Sequence, residues 1–76
     1  MIARDWANLT DKQFDIAVRS MDFPVILKSR GECITAASLA RNGWGAVEAG
    51  ASGEKIFRIS QEGFDDLEWV REVRAA

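Results

Sequence analysis

The glycine-rich stretch NGWGAVEAGASGEKIFRIS, in the second half of the chain, restricts the fold more than any other segment. Two short segments with alternating apolar residues, 44–49 and 55–60, flank the turn sequence GASGE. This alternation around a glycine turn predicts a β-hairpin whose Val47, Phe57 and Ile59 face inward. Helical patterns precede and follow the hairpin, so we predict an α+β fold.

A capping box marks the start of the first helix. Thr10 and Gln13 are three residues apart, so their side chains can each satisfy an N–H group of the first turn. Leu9 and Phe14 occupy the two positions of a hydrophobic staple. An apolar stripe then follows at helical spacing: Phe14, Ala17, Val18 and Met21. We predict a helix over residues 11–21.

The segments on either side of this helix are ambiguous. Ahead of it, Ile2 and Trp6 are four residues apart and would lie together on one helical turn. After it, Pro24 disfavours helical dihedrals in the preceding residue, so the first helix should end near Asp22. The sequence VIL fits both a short helix over residues 24–29 and a buried extended segment. The predicted fold takes the helix, which gives three N-terminal helices before the hairpin.

A third helix is predicted over residues 33–42. Its inward face carries Ile34, Ala36, Leu39 and Ala40. Its opposite face is polar and carries Thr35, Ser38, Arg41 and Asn42. Gly43 suits the left-handed conformation that commonly ends a helix, and Trp44 beyond it should belong to the core. A solvated helix usually carries Glu and Lys, so this polar face is a candidate contact surface.

A last helix is predicted over residues 61–74. Ser60 is a suitable N-cap, because its side-chain oxygen can accept a hydrogen bond from the first turn. Apolar residues recur every third position along it: Phe64, Leu67, Val70 and Val73. Trp69 lies beside this stripe rather than within it, so we expect it to be half exposed.

The composition argues against enzymatic chemistry. The 76 residues, which we take as one domain, contain no histidine and one cysteine, Cys33. Ser-His and Cys-His nucleophile pairs and His- or Cys-rich zinc sites are therefore excluded. The glycines match neither phosphate-binding loop pattern. We expect no catalytic activity and no cofactor.

The first residues and the cysteine count favour a cytoplasmic protein. The N-terminal sequence MIARDWANLTDKQ has no apolar signal-peptide region, and no run approaches the ~20 apolar residues that span a bilayer. A single cysteine cannot form an intrachain disulfide, which fits a reducing compartment.

Charge is distributed unevenly along the chain. The net charge is −2, which gives no overall attraction to nucleic acid. Residues 28–60 carry five basic and three acidic side chains, whereas residues 61–76 carry two basic and five acidic ones. The middle of the chain is therefore mildly basic and the last helix acidic.

The order of elements and several residues resemble the winged helix-turn-helix family of MarR-type and related small regulators. The resemblance covers residues 27–67 and rests on Leu39, Gly43, Trp44, Phe57, Arg58, Ile59, Ser60 and Gly63. In that family a recognition helix ends in glycine, a hairpin wing follows, and a further helix begins after an aromatic-Arg-Ile-Ser strand. The resemblance implies binding to double-stranded DNA, and a homodimer would double the contact area.

The resemblance also implies roles for individual residues. The helix over residues 33–42 would be the recognition helix. Its polar residues would contact base edges or phosphates: Thr35, Ser38, Arg41 and Asn42. Lys28 and Arg30, just before it, would contact the DNA backbone. Ser52 and Lys55 at the wing would contact phosphates or the neighbouring minor groove.

The alternative is a winged-helix scaffold that binds a protein and not DNA. It would serve as an adaptor, a complex subunit or a phage-type inhibitor. The acidic last helix favours this alternative, and its candidate interface residues are Trp69, Asp65 and Asp66.

Overall fold

The computed structural model describes residues 6–75, which form three helices and a three-stranded antiparallel sheet. In chain order the elements are α1 (Asp11–Asp22), β1 (Val25–Leu27), α2 (Arg30–Arg41), β2 (Gly45–Ala49), β3 (Lys55–Ile59) and α3 (Gln61–Ala75). The predicted α+β class is confirmed. Ile2 lies outside the described residues, so the proposed first turn with Trp6 stays a prediction.

The prediction of a short helix over residues 24–29 is wrong, and the extended alternative is correct. Residues 25–27 form β1, which pairs with β3 so that the sheet order is β1-β3-β2. Val25 and Leu27 are buried while Ile26 between them is exposed, as the period of a strand requires. Three residues are too few to favour a strand on local preference alone. The hydrogen bonds that stabilise β1 as a strand come from its pairing with β3. The predicted two-stranded hairpin is therefore part of a larger sheet.

Helix α1 begins as its capping box predicts. The Gln13 N–H donates to the Thr10 hydroxyl over 3.1 Å, and the Thr10 N–H donates to the Gln13 side-chain carbonyl over 2.9 Å. The buried face is rotated from the predicted stripe and centres on Ile16, Ala17 and Ser20. The rest of the predicted stripe is partly buried: Phe14, Val18 and Met21. The rotation arises because α1 packs against α2 on one side and the sheet on another.

Helix α2 ends at a left-handed glycine, as predicted. Gly43 has φ +82°, and the Trp44 N–H reaches back to the Leu39 carbonyl over 3.0 Å while the Gly43 N–H donates to Ala40. These two bonds form a Schellman motif. The start of the helix differs from the prediction, because Ser29 accepts a hydrogen bond from Glu32 N–H and α2 begins at Arg30.

Helix α3 is joined to the rest of the fold at both ends. At its start, the Gly63 N–H donates to the Ser60 hydroxyl over 3.0 Å, which confirms the predicted N-cap. At its end, the Arg74 guanidinium donates to the Leu9 carbonyl over 2.7 Å and lies 4.3 Å from the Phe14 ring centroid. The largest fully buried side chains form the centre of the core: Trp44, Phe57, Leu39, Leu67 and Val70.

The close approach between α3 and Trp44 generates a stability prediction. A Cβ atom at Gly63 would overlap the backbone carbonyl oxygen of Trp44, so Gly63→Ala must displace main chain. We expect the free energy of unfolding to fall by about 1–3 kcal/mol, as for other overpacked sites. The measurement is urea denaturation followed by circular dichroism.

Gly31→Ala is the matched control. This glycine lies in the first turn of α2, and the nearest atom to an added Cβ is the Ser29 Oγ at 3.8 Å. The control should raise the free energy of unfolding by up to about 1 kcal/mol, because alanine is the better helix former. Equal effects of the two substitutions would contradict the close approach.

Candidate nucleic-acid interface

The outward face of α2 differs from the one that the sequence predicts. Arg30, Ile34, Ala37 and Arg41 are all exposed, and their spacing of four, three and four residues places them on one side of the helix. Ile34 was predicted to face the core and is 61% exposed. That prediction is wrong because the buried line of α2 is set by Ala36 and Leu39.

Two of the predicted contact residues, Thr35 and Ser38, are partly buried beside α1. The Ser38 hydroxyl accepts a hydrogen bond from the Gln13 amide over 2.7 Å and donates to the Thr35 carbonyl over 2.8 Å. The Thr35 hydroxyl donates to the Gly31 carbonyl over 2.9 Å. Ser38 therefore connects α2 to α1, whereas the Thr35 bond lies within α2.

A shallow groove of about 270 Å³ follows the same boundary between α1 and α2. It is lined by Lys12, Asp15, Ile16, Ser29, Gly31, Glu32 and Thr35. Its charged side chains have both signs, so it offers no concentrated field of one sign.

Glu32, the only acidic residue of α2, is engaged within the fold. One carboxylate oxygen accepts from the Lys28 N–H over 2.7 Å, and the other lies 3.7 Å from the Arg19 guanidinium. Arg19 also contacts Asp15 over 3.0 Å. Both exposed charges of α2 are consequently arginines, Arg30 and Arg41.

The β1–β3 register gives two predicted backbone contacts neighbouring positions. Lys55 lies opposite Leu27 in this register, and Lys28 is the next residue along the chain. Arg30 follows at the start of α2, and all three cations are exposed. We call Lys28, Arg30, Arg41 and Lys55 the basic surface.

The remaining predicted DNA contacts lie at the two ends of the basic surface. Ser52 belongs to the turn between β2 and β3, at the same end of the sheet as Lys55, and its N–H donates to Glu54 over 3.1 Å. Arg41 and Asn42 lie at the other end of α2, about 16 Å from Arg30 at 1.5 Å per residue. Asn42 is the C-cap residue and is exposed.

A sequence signal for this outward face exists between Ser29 and Glu32. Serine followed three residues later by glutamate is a common helix start, and it places the first turn of α2 at Arg30. From that start, Arg30, Ile34 and Arg41 fall on one face. The prediction placed Ile34 inward although Ile34 and Arg41, seven residues apart, share one face of any α-helix that contains both.

The alternative interface lies on α3. Trp69 is 45% exposed, as expected, and its ring meets that of Trp6 edge to face at a centroid distance of 4.9 Å. Val73, one turn further along, is 39% exposed. Asp65 is exposed and accepts from the Gln61 amide over 3.0 Å, whereas Asp66 is partly buried. The apolar part of this surface is thus bordered by acidic residues.

The sequence matches no protein-family model, and neither a curated protein nor a solved structure is significantly similar to it. Within residues 6–75, no helix has the length and hydropathy needed to cross a membrane. Across the same part of the chain, no group of three or more His, Cys, Asp or Glu side chains could hold a metal ion.

The hydrogen bond between Gln13 and Ser38 predicts a structural role for Ser38. Ser38→Ala leaves the partly buried Gln13 amide without this acceptor, so we expect the free energy of unfolding to fall by about 1 kcal/mol. Ser52→Ala is the control, because an exposed turn residue should change stability by less than about 0.5 kcal/mol. Urea denaturation of both variants is the test, and an unchanged Ser38→Ala midpoint would contradict the assignment.

Proposed function

We propose that this protein binds double-stranded DNA through its basic surface and acts as a small transcriptional regulator or accessory DNA-binding factor. The observation that carries the proposal is the charge of α2: its two exposed charges are arginines, and its one carboxylate is held by Arg19 and the Lys28 N–H. A helix with this outward face can approach phosphates without opposing its own acidic groups.

The position of the hairpin supports the same function, although β1 replaces the second of the three predicted N-terminal helices. The β2–β3 hairpin follows α2 directly, as the wing follows the recognition helix in the MarR-type family that the sequence resembles. We assign α2 to the major groove and the hairpin turn to the neighbouring backbone. In this arrangement Lys28, Lys55 and Ser52 contact phosphates, and Arg41 with Asn42 reaches the groove from the C-terminal end of α2.

The charge count limits the affinity. Four cations that each neutralise one phosphate give a salt slope of about −3.6 in a plot of log K against log salt concentration. A single copy should therefore bind in the micromolar range at low salt and release DNA as salt rises. A homodimer would double the number of phosphate contacts.

The test is a fluorescence-anisotropy titration of a 20-base-pair duplex at several salt concentrations. We expect a Kd below about 100 μM at low salt, within the range of non-specific complexes. Arg30→Ala with Arg41→Ala should weaken binding and reduce the salt slope to about −1.8, because two phosphate contacts are lost.

The control for this test is a second double variant, Arg58→Ala with Arg71→Ala. It has the same net charge, but Arg58 is paired with Glu48 at 2.7 Å and Arg71 lies on α3. Binding and slope should stay near the wild-type values. Equal losses in the two double variants, or no binding by the wild type below about 100 μM, would refute the proposal.

A second candidate function is protein binding through α3. The observation that favours it is the Trp6–Trp69 pair, which holds a 45%-exposed tryptophan in a defined orientation beside Val73 and the acidic side chains. Exposed aromatic residues of this kind are enriched in the centres of protein interfaces.

Affinity capture from a lysate of the natural host tests this second candidate. A specific partner should be recovered by the wild type and lost with Trp69→Ala or with charge reversal at Asp65 and Asp66. Phe23→Ala is the matched control, since Phe23 is 78% exposed and belongs to the connection between α1 and β1. If Trp69→Ala and the charge reversals at Asp65 and Asp66 leave the captured partner unchanged, α3 is not the interface.

A further inference from the structure

We infer that Ile34, together with Ala37, reads the 5-methyl groups of thymine in the major groove, so that the basic surface prefers thymine-containing DNA over uracil-containing nucleic acid. This inference rests on the proposed function and adds a ligand preference to it. It replaces the expectation that hydroxyls of α2 read the bases.

Core packing does not require an isoleucine at this position. Ile34 is 61% exposed, whereas Ile16 of α1 is 3% exposed and belongs to the core. A β-branched residue also favours a helix less than alanine or leucine does. Neither core packing nor helix propensity therefore accounts for an isoleucine on the outward face of α2.

The position of Ile34 between the two arginines fits the exposed face of α2 to the major groove of DNA. At 1.5 Å per residue, Ile34 lies about 6 Å and Ala37 about 10 Å along the axis from Arg30, and Arg41 lies about 16 Å along it. With α2 lying along the major groove, the long arginine side chains at its two ends extend to phosphates, while the shorter apolar side chains between them face the floor.

The chemistry of the groove floor identifies what those apolar residues meet. The thymine 5-methyl is the one apolar group that an unmodified base pair presents there, and alanine-sized or larger apolar side chains contact it. The hydroxyls of Ser38 and Thr35 are bonded to Gln13 and to the helix backbone, whereas Ile34 and Ala37 make the middle of the exposed face apolar. The middle of the helix is therefore suited to a methyl group.

The experiment compares two duplexes that differ only in methyl groups. The first is a 20-base-pair duplex with alternating A and T at its centre, and the second carries deoxyuridine at every thymine. Burial of one methyl group corresponds to about a fourfold change in Kd, so the wild type should bind the thymine duplex at least about fourfold more tightly. The measurement is anisotropy at low salt.

Ile34→Ala should remove most of this preference while it leaves the salt slope unchanged, because no charge is altered. Ile26→Ala is the matched control: Ile26 is 49% exposed on β1, outside the basic surface, and its loss should leave the preference intact. The affinities of the wild type and of Ile34→Ala for the two duplexes form a double-mutant cycle. The coupling energy from this cycle isolates the contact between methyl group and side chain from any change in duplex flexibility. Circular dichroism should show that both variants fold.

The outcomes separate this inference from the proposed function. Equal affinity of the wild type for both duplexes, or a preference that survives Ile34→Ala, overturns the inference and leaves DNA binding in place. Failure of the wild type to bind either duplex overturns both. A thymine preference that Ile34→Ala abolishes and Ile26→Ala retains supports the inference.

Discussion

The backbone of Trp44 is the junction on which the rest of the structure depends. Its N–H ends α2 by donating to Leu39, and its carbonyl accepts the Ser60 N–H over 3.0 Å and the Ser60 hydroxyl over 3.3 Å. The indole is fully buried, and Gly63 brings the first turn of α3 against the same carbonyl. One residue thus connects the end of α2, the exit of β3 and the start of α3, and a shift of α2 or of Ser60 would break a hydrogen bond to this backbone.

The orientation of α2 follows from this junction and from one contact with α1. Leu39, which ends the buried line of α2, is held by Trp44, and Ser38 is held by Gln13. With both fixed, Arg30, Ile34 and Arg41 can only face outward. The engagement of the single α2 carboxylate with Arg19 then leaves a basic outward face on a protein whose net charge is −2. The outward face of α2 is positive because Glu32 is paired with Arg19, and not because the protein as a whole is basic.

The candidate site could be predicted in part from the sequence. The cations of the basic surface were found because charged residues rarely lie in a core, so their exposure follows from residue type. The roles of Ser38 and Thr35 could not be predicted from residue type. Hydroxyl side chains occur both on solvated helix faces and in hydrogen bonds inside the fold. Ile34 was misplaced because it was assigned to the inward face as an apolar residue, although its spacing of seven from Arg41 puts both on one face. The capping pattern at Ser29 adds Arg30 to that face.

Features that depend on neighbouring residues were readable from local sequence. The capping box at Thr10, the left-handed Gly43 and the hairpin turn each require only a few adjacent residues to adopt a conformation that those residue types favour. Strand β1 and the rotation of α1 depended on packing instead. On local sequence alone, Val25 and Leu27 fit a helix and a strand equally well. The strand forms because β3, some thirty residues later in the chain, offers hydrogen bonds to an extended segment. Long-range pairing decides such cases because three residues of local preference are worth less than a ladder of buried hydrogen bonds.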